Sequence, residues 1–321
     1  HYCSRRQRQM CIRDSFFYNG GGDSQDTTFK ISKMAKKLKL PLTCIGIPKT
    51  VDNDLPITDC SPGFGSVAKY VATSTLEAGL DVKSMSETST KVFILEVMGR
   101  HAGWIAAASA LASTNETDPP HIILMPEVPF AKKKFIDKVK QTVSNEGFCV
   151  VVASEGTRYK NGMFLADSGL TDAFGHKQLG GVAPVLAQMI SSIGLKNHWA
   201  VSDYLQRSAR HISSKTDLDQ AYAVGKKAVE FALAGKNAVM PVIKRLSNKP
   251  YKWKIESASL SKVANVEKIL PKGFISKDGF KISNKGCLYL TPLIQGAPPL
   301  EFKNGIPVVA KLKNVLVKKL T

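Results

Sequence analysis

Short apolar runs alternate with longer helical patterns through most of this 321-residue chain. Apolar runs of four to eight residues are typical of buried strands, and longer stretches with apolar positions three or four apart are typical of helices. The strand-like runs are 42–47, 92–97, 122–125 and 148–153, and the helical patterns are 26–38, 64–80, 102–111, 131–145 and 218–234. This alternation predicts an α/β fold with mostly parallel sheets flanked by helices. The length is sufficient for two lobes.

The pattern changes from residue 237 onward. Pro and Gly punctuate short apolar stretches at 287–293 and 306–310, which predicts strands and loops rather than long helices. Residues 241–321 contain sixteen Lys or Arg and four Asp or Glu, so they supply +12 of the net charge of +19. The Lys residues are scattered among Val, Ile and Leu. This pattern favours a solvated surface that attracts anionic substrates, rather than a surface that binds nucleic acid.

The strand-like run 42–47 ends in a polar segment, Pro48-Lys49-Thr50-Val51-Asp52-Asn53-Asp54. Open α/β sheets bind ligands at the carboxyl ends of their strands, so these side chains predict a site. A carboxylate in such a place can take a proton from an alcohol while a neighbouring cation holds a phosphate. The alternative is a polar turn with a surface ion pair.

A glycine loop, Gly20-Gly21-Gly22-Asp23-Ser24, lies upstream of this segment. It leads into a helical pattern that Asp23, Ser24 or Asp26 can cap. Glycines allow close backbone approach, and N–H groups at a helix N-terminus bind anions, so the loop predicts a phosphate site. The apolar residues at helical spacing in this pattern are Ile31, Met34 and Leu38.

A third polar segment, Met98-Gly99-Arg100, follows the strand-like run 92–97, and its guanidinium can bind a phosphate or a hydroxyl-rich substrate. Ser154-Glu155-Gly156 and Tyr204-Leu205-Gln206-Arg207 follow further along. In order and spacing, this set of motifs resembles the phosphofructokinase family. The resemblance covers residues 16–321 and implies two Rossmann-like lobes that close over the site, in a homodimer or homotetramer.

Two positions resemble the bacterial pyrophosphate-dependent branch of the family. Lys49 and Asp23 both stand where ATP-using relatives have Gly. A Lys can hold the terminal phosphate of pyrophosphate, and a carboxylate would crowd and repel the α-phosphate of a nucleotide. We therefore expect phosphoryl transfer from pyrophosphate to the 1-hydroxyl of fructose 6-phosphate, a reversible glycolytic step. The alternatives are an ATP-dependent enzyme, a kinase of another phosphosugar such as sedoheptulose 7-phosphate, and an inactive truncated fragment.

The resemblance also implies residue roles. Asp52 would be the general base, and Asp54 would support it or help to hold Mg²⁺. Thr50 would contact the transferring phosphoryl group, and Lys49 would neutralise its charge. The residues that would bind the sugar phosphate are Met98, Gly99, Arg100 and Glu155 for the sugar, Tyr204 and Arg207 for the 6-phosphate, and Lys91 reaching into a neighbouring subunit. Each of three residues also has a purely structural alternative: a helix cap for Glu155, a core aromatic for Tyr204 and a solvated charge for Lys91.

One position departs from the family pattern. Relatives usually carry Asp, Asn or Glu directly after the first two glycines, where it helps to place Mg²⁺, and this chain has Gly22. We therefore expect Mg²⁺ binding to depend on Asp23 and Asp54, or on water.

Residues 1–15 show no strand or helix period and resemble nothing in the family, which starts with a strand and a glycine-rich loop well before Gly20. We expect this leader to be non-native or disordered, with a short basic targeting arm as the alternative, and the fold to be incomplete at its N-terminus. The predicted organisation is a phosphate-donor lobe (16–63 with about 207–250), a sugar-phosphate lobe (about 64–206) and a basic C-terminal segment of strands and loops (about 251–321).

The six cysteines have no metal-ligand spacing, and several lie in apolar runs: Cys3, Cys11, Cys44, Cys60, Cys149 and Cys287. They predict reduced core thiols in a cytoplasmic protein. No apolar run approaches the length of a membrane span, and no leader segment has the apolar core of a signal peptide. We expect neither a membrane nor a nucleic-acid partner.

Overall fold

The computed structural model describes residues 15–171, 177–179, 181–311, 313 and 315, with side chains outside 168–180. Its strands are β1 (Ser15–Gly20), β2 (Thr43–Pro48), β3 (Val92–Val97), β4 (Ile122–Leu124), β5 (Cys149–Ser154), β6 (Asp167–Thr171), β7 (Lys177–Leu179), β8 (Asn197–Val201), β9 (Val239–Asn248), β10 (Tyr251–Ser259), β11 (Phe302–Lys303) and β12 (Ile306–Pro307). Its α-helices are α1 (Gly22–Lys37), α2 (Phe64–Met85), α3 (Trp104–Ala108), α4 (Lys132–Glu146), α5 (Val182–Ser191), α6 (Leu205–Ser208), α7 (Lys215–Leu233) and α8 (Asn284–Leu290).

Two four-stranded sheets form the frame of the molecule. The first has the order β1-β2-β9-β10, in which only β10 is antiparallel to its neighbour. The second has the order β4-β5-β3-β8 and is entirely parallel. Helices α1 and α7 pack on the first sheet, and α2, α4 and α5 pack on the second. The predicted α/β fold with mostly parallel sheets is confirmed.

Strand register decides which segments meet. In the first sheet Gly20 pairs with Pro48, so the glycine loop begins beside the segment that follows β2. In the second sheet Val97 pairs with Ser154, so the residues after β3 and β5 are neighbours. Parallel pairing therefore gathers the predicted polar segments at the carboxyl ends of the strands.

The core of the second sheet has two faces. On one face α2 and α3 cover the strands, and the Trp104 ring lies against Phe64, Phe274 and Tyr289 at centroid distances of 5.3–6.4 Å. On the other face α4 and α5 bury Phe135 and Leu186. The thiols of Cys44, Cys60 and Cys149 are buried and that of Cys287 is partly buried, all unpaired. This confirms the predicted core thiols, while Cys3 and Cys11 lie outside the described residues.

The prediction for 287–293 is wrong, because these residues are helical. Helix α8 covers Asn284–Leu290 and a 3₁₀ turn follows at Thr291–Ile294. The Ser283 hydroxyl accepts a hydrogen bond from the Gly286 N–H over 3.4 Å and so caps α8. Leu290 and Leu293 are three residues apart and both buried, which is a helical spacing over a stretch too short to reveal it.

The predicted start and N-cap of α1 are also wrong. The helix begins at Gly22 rather than 26, and its N-cap is Gly21 with no side-chain hydrogen bond, so neither Asp23, Ser24 nor Asp26 caps it. Met34 and Leu38 are exposed, and the buried residues are Gln25, Thr28, Ser32 and Ala35. The polar members of this face are satisfied locally: the Thr28 hydroxyl donates to Ser24 O over 2.7 Å and the Ser32 hydroxyl to Phe29 O over 2.7 Å.

Strands β1 and β8 have no counterpart in the sequence analysis. Both lie at sheet edges, and both carry exposed side chains such as Phe17, Tyr18 and Trp199. In the described part of the chain, no helix is both long and apolar enough to span a membrane.

Candidate active site

A cavity of ≈ 720 Å³ opens at the carboxyl ends of β1, β2, β3 and β5, between the two sheets. It brings together eleven of the residues singled out in the sequence: Gly21, Gly22, Asp23, Ser24, Thr50, Asp52, Asp54, Met98, Arg100, Glu155 and Arg207. Val51, Leu55, His101, Ala102, Asn265, Val266 and Glu267 complete its lining. The three polar segments singled out in the sequence therefore line one cavity.

The glycine loop forms one wall of the cavity. A Cβ atom at Gly20 would lie 2.0 Å from Ser24 Oγ, so only glycine fits there. Gly21 faces Thr50, with 3.6 Å between an added Cβ and the Thr50 Cβ. Because α1 begins at Gly22, its first N–H groups have no carbonyl partner within the helix and can bind an anion.

Gln25 ties this loop to β2. Its Nε2 donates to Gly20 O over 2.9 Å and to Ile47 O over 3.1 Å, and its side chain is fully buried. The Lys49 N–H also donates to Gly20 O, over 3.1 Å. These bonds fix the glycine loop against the segment that contains Asp52.

Asp52 and Thr50 share the floor of the cavity. The Thr50 hydroxyl donates to Asp52 Oδ2 over 3.4 Å, and the Asp52 N–H donates to Thr50 Oγ1 over 3.2 Å. Burial raises the pKa of Asp52, and the charge of Glu155 raises it further, whereas the Thr50 hydrogen bond lowers it. A carboxyl group with a raised pKa is better matched to proton transfer near neutral pH.

Asp54 lies in the same turn. Burial and the Asp52 charge raise its pKa to about 6. Its Oδ1 atom is buried and has no hydrogen-bond partner among the described residues. A buried carboxylate oxygen without a partner at the cavity wall is a suitable ligand for a hard cation.

The segment after β3 forms the opposite wall. Gly99 has φ +128°, and a Cβ there would lie 2.7 Å from Ala102 O, so glycine is required. Its N–H donates to Glu155 Oε1 over 3.3 Å, and its carbonyl accepts from Ser154 Oγ over 2.5 Å. Burial raises the pKa of Glu155, while the Gly99 N–H and Arg100 lower it. Glu155 thus follows β5 directly and contacts the Gly99 backbone, and it does not cap a helix.

Arg207 and Tyr204 lie at the rim. The guanidinium carbon of Arg207 is 4.1 Å from the centroid of the Tyr204 ring, which restricts the Arg207 side chain. Arg207 lines the cavity, whereas Tyr204 is 61% exposed and stands outside the lining. The alternative role of Tyr204 as a core aromatic is therefore excluded.

Neither Lys49 nor Lys91 is among the described residues that line the cavity. Lys49 is exposed beside it, and its charge lowers the pKa of Asp52. Lys91 precedes β3, at the opposite end of the strand from Met98, roughly 20 Å away at about 3.3 Å per residue. Its amine donates to the carbonyls of Ser86 and Glu87.

Sequence reasoning missed His101, Asn265 and Glu267. His101 Nδ1 lies 2.7 Å from Glu267 Oε1, so the segment after β3 meets the segment after β10 inside the cavity. Asn265 Nδ2 donates to Asp26 Oδ1 over 3.0 Å and so contacts α1. His101 was findable because it adjoins Arg100, but nothing in the 265–267 sequence indicates a site.

The family model for phosphofructokinase matches residues 7–232 of this chain. The chain belongs to the phosphofructokinase family. The match begins inside the segment 1–15 that we expected to be non-native, of which residues 1–14 lie outside the described part.

Similar relatives carry the name pyrophosphate–fructose 6-phosphate 1-phosphotransferase. The protein of Halomonas elongata is 63% identical over 305 residues, which are 95% of this chain and 73% of that protein. The protein of Methylococcus capsulatus is 57% identical over the same shares. The crystal structure of a pyrophosphate-dependent phosphofructokinase from Marinobacter aquaeolei matches with a TM-score of 0.88 and 58% identity, covering 98% of this chain and 76% of that one.

Proposed function

We propose that this protein transfers a phosphoryl group from pyrophosphate to the 1-hydroxyl of fructose 6-phosphate, reversibly. The observation that carries the proposal is the place of Asp52. It lies on the floor of a single cavity, between a glycine loop suited to phosphate and the Met98–Arg100 segment suited to a sugar. The names of the similar relatives support the same reaction.

In the forward direction Asp52 accepts the proton of the sugar 1-hydroxyl. The hydroxyl oxygen forms a bond to the terminal phosphorus of pyrophosphate, the bridging P–O bond breaks, and phosphate leaves. In reverse, protonated Asp52 returns the proton to the sugar oxygen. The raised pKa of Asp52 serves both directions, because the group must gain and lose a proton near neutral pH.

Donor choice is assigned to Asp23 and Lys49. Asp23 lies in the first turn of α1 and lines the cavity, where its charge opposes the α-phosphate of a nucleotide. Lys49 stands beside the cavity with its amine exposed, where it can neutralise the terminal phosphate of the shorter donor. Thr50 would contact the phosphoryl group in transfer.

The sugar side uses the second wall. We assign Met98, Gly99, Arg100 and Glu155 to the sugar hydroxyls, and Arg207 with Tyr204 to the 6-phosphate. Lys91 is too far from the cavity of its own chain to serve there. We therefore propose that it acts in a neighbouring subunit of a homodimer or homotetramer.

Mg²⁺ fits the residues present. Magnesium usually keeps several waters and uses one or two protein carboxylates with substrate phosphates, and among the described residues no three acidic, His or Cys side chains cluster as a metal site. The unpartnered Oδ1 of Asp54 and the carboxylate of Asp23 would hold the ion, and Gly22 leaves open space beside them. When bound, Mg²⁺ neutralises charge on pyrophosphate.

Two wider assignments accompany this function. The first sheet draws on 15–48 and 239–259 and the second on 92–201, which supports a donor lobe and a sugar-phosphate lobe. Because β10 (Tyr251–Ser259) belongs to the first sheet, we extend the donor lobe past the boundary predicted near residue 250. The unpaired cysteines support a cytoplasmic location.

The test measures fructose 1,6-bisphosphate formed from fructose 6-phosphate with Mg²⁺ and either pyrophosphate or ATP. We expect product with pyrophosphate and little or none with ATP. Product with ATP alone would overturn the donor assignment, and no product with either donor would overturn the activity. The reverse reaction, from fructose 1,6-bisphosphate and phosphate to pyrophosphate, should proceed with the same enzyme preparation.

A further inference from the structure

Lys268 places a buried amine directly behind the catalytic turn, defined here as Asp52, Asn53 and Asp54. Its Nζ donates to Asn53 Oδ1 over 3.1 Å, to Thr58 O over 3.1 Å and to Asp59 O over 2.9 Å. Three acceptors match the three N–H donors of an ammonium group. The amine is therefore held in one position by the turn itself and by the residues that follow it.

The Lys268 backbone contacts the same region. Its N–H donates to Asp54 O over 2.6 Å, and its carbonyl accepts from Trp104 Nε1 over 2.8 Å. The Trp104 ring also lies under the ammonium, with 5.2 Å between Nζ and the ring centroid. Both ends of Lys268 are thus anchored, and the side chain has little freedom to move.

Asn53 is the point where Lys268 meets the turn. It has φ +53°, a left-handed conformation that Asn adopts more readily than other non-glycine residues but that still requires support from its contacts, and its side chain is fully buried. Its Oδ1 also accepts from the Ser61 N–H over 3.0 Å, and its Nδ2 donates to the Tyr289 hydroxyl over 3.2 Å. Three separate segments therefore hold the residue between the two catalytic-turn carboxylates.

The neighbours of Lys268 also contact the cavity walls. Asn265 is bonded to Asp26 of α1 and Glu267 to His101, so residues 265–268 join the glycine loop side, the sugar side and the turn. A segment far along the chain thus reaches the three parts of the site within four residues.

We propose that Lys268 is a positioning residue of the reaction, which holds Asn53 in its left-handed conformation and so directs the Asp52 and Asp54 carboxylates into the cavity. This rests on the proposed role of Asp52 as the base. Burying an ammonium is costly even when it is paired, and a well-packed apolar residue often replaces such a charge without loss of stability. A role in placing the base accounts for a charge that stability alone does not require.

The variants that test this are Lys268→Met, which keeps the length of the side chain, and Lys268→Arg, which keeps the charge. Lys272→Met is the matched control, because Lys272 is exposed in the same part of the chain. Lys268→Met should lower kcat about 100-fold, since small misplacements of a catalytic group cost about that much. The KM for fructose 6-phosphate should stay within about threefold, because Lys268 does not line the cavity. Lys268→Arg should recover part of kcat, and the control should equal the wild type.

A second pair of variants asks whether Lys268 acts through Asn53. Asn53→Gly keeps the left-handed backbone accessible but removes the amide. The double variant Asn53→Gly, Lys268→Met should be no slower than the slower single variant, because both remove the same link. Multiplying effects, or a kcat within about threefold of wild type for Lys268→Met, would overturn the proposal.

Hydrogen exchange tests the placement without any activity. Lys268→Met should speed amide exchange in the 52–61 peptide by about tenfold while β3 exchanges as in the wild type. Unchanged exchange at 52–61 would overturn the positioning role. If the wild type fails to use pyrophosphate while exchange behaves as expected, the proposed function fails and the link between Lys268 and the turn stands.

Discussion

The Thr50 hydroxyl and the Asp52 carboxylate are bonded to each other within one tight turn, by a 3.4 Å bond from Oγ1 to Oδ2 and a 3.2 Å bond from the Asp52 N–H back to Oγ1. This pairing fixes the Asp52 carboxylate at the cavity floor. Thr50 itself is 7% exposed and packs beside Gly21. The base is thus preorganised by a residue that also adjoins the phosphate loop.

Asp52→Asn should lower kcat by about 10² to 10⁴, the usual contribution of a general base, with little change in the KM for fructose 6-phosphate. Asn preserves the shape of the turn but cannot accept the proton. Steady-state kinetics with pyrophosphate as donor provide the measurement. Asp137→Asn is the control, because Asp137 is an exposed partner of Lys133 on α4. A loss of only tenfold would be too small for a base.

Replacing Asp23 and Lys49 together by Gly should shift donor choice toward ATP. Removal of the Asp23 charge relieves repulsion of a nucleotide phosphate, and loss of the Lys49 amine weakens the binding of pyrophosphate. Relief of one like-charge contact is worth at least about 1.4 kcal/mol, so kcat/KM with ATP should rise about tenfold or more. The ratio of kcat/KM for the two donors is the quantity to compare with wild type. An unchanged ATP rate would locate donor selectivity outside these two residues.

Arg207→Ala should raise the KM for fructose 6-phosphate by about 10- to 100-fold and lower kcat much less, because a charge-assisted hydrogen bond contributes about 1.5–3 kcal/mol. Tyr204→Phe separates the effect of the ring from that of the hydroxyl, because it removes the hydroxyl and keeps the ring that restrains Arg207. If Phe behaves as wild type and Tyr204→Ala resembles Arg207→Ala, the ring acts by orienting Arg207. A kcat-dominated loss in Arg207→Ala would contradict a 6-phosphate contact.

The sequence predicted the site better than it predicted the helices around it. Polar motifs directly follow the apolar runs of β2 and β3, and parallel register brings the ends of neighbouring strands together. The buried face of α1 gave no such signal. Gln25 and Thr28 can be buried because backbone carbonyls accept hydrogen bonds from their side chains. Hydrophobic periodicity cannot predict the burial of such polar residues.

The site residues at 265–268 could not be predicted from the sequence, for a different reason. Their contacts with Asp26, Asn53 and His101 join positions more than 160 residues apart, and only the folded chain reveals them. Lys91 shows the complementary case. The resemblance implied a role for Lys91 in a neighbouring subunit, and the structure places it at the far end of β3 from the cavity of its own chain.

His121 should make the protein less stable as the pH falls from about 6.5 to about 4. Burial lowers its pKa to about 4, so the folded state resists a proton that the unfolded state accepts. Its Nδ1 accepts from the Val150 N–H over 2.9 Å, a bond that the protonated ring cannot make. The lost free energy of unfolding is about 3 kcal/mol at most.

Urea unfolding at pH 7 and pH 4.5 measures this, with His121→Gln beside wild type. The stability deficit of His121→Gln should shrink at the lower pH, because Gln carries no titrating group. His211→Gln, at an exposed position, serves as the control and should follow wild type at both values. A deficit independent of pH would show that His121 titrates alike in both states.

Asp54→Asn should weaken Mg²⁺ binding more than it weakens sugar binding. The change removes the charge on a buried oxygen that has no hydrogen-bond partner among the described residues, and loss of one ligand or its support typically costs 10- to 100-fold in metal affinity. The Mg²⁺ concentration for half-maximal rate should therefore rise about tenfold or more.

Gly22→Asp tests the same site from the other side. A Cβ at Gly22 meets no atom within 4 Å, so a side chain can start there without a clash at its first carbon. It should lower the half-maximal Mg²⁺ concentration, and in the Asp54→Asn background it should restore part of the loss. Gly225→Asp, equally unobstructed on α7, is the control for an added surface charge. An Asp54→Asn enzyme with the Mg²⁺ dependence of the wild type would remove Asp54 from the metal site.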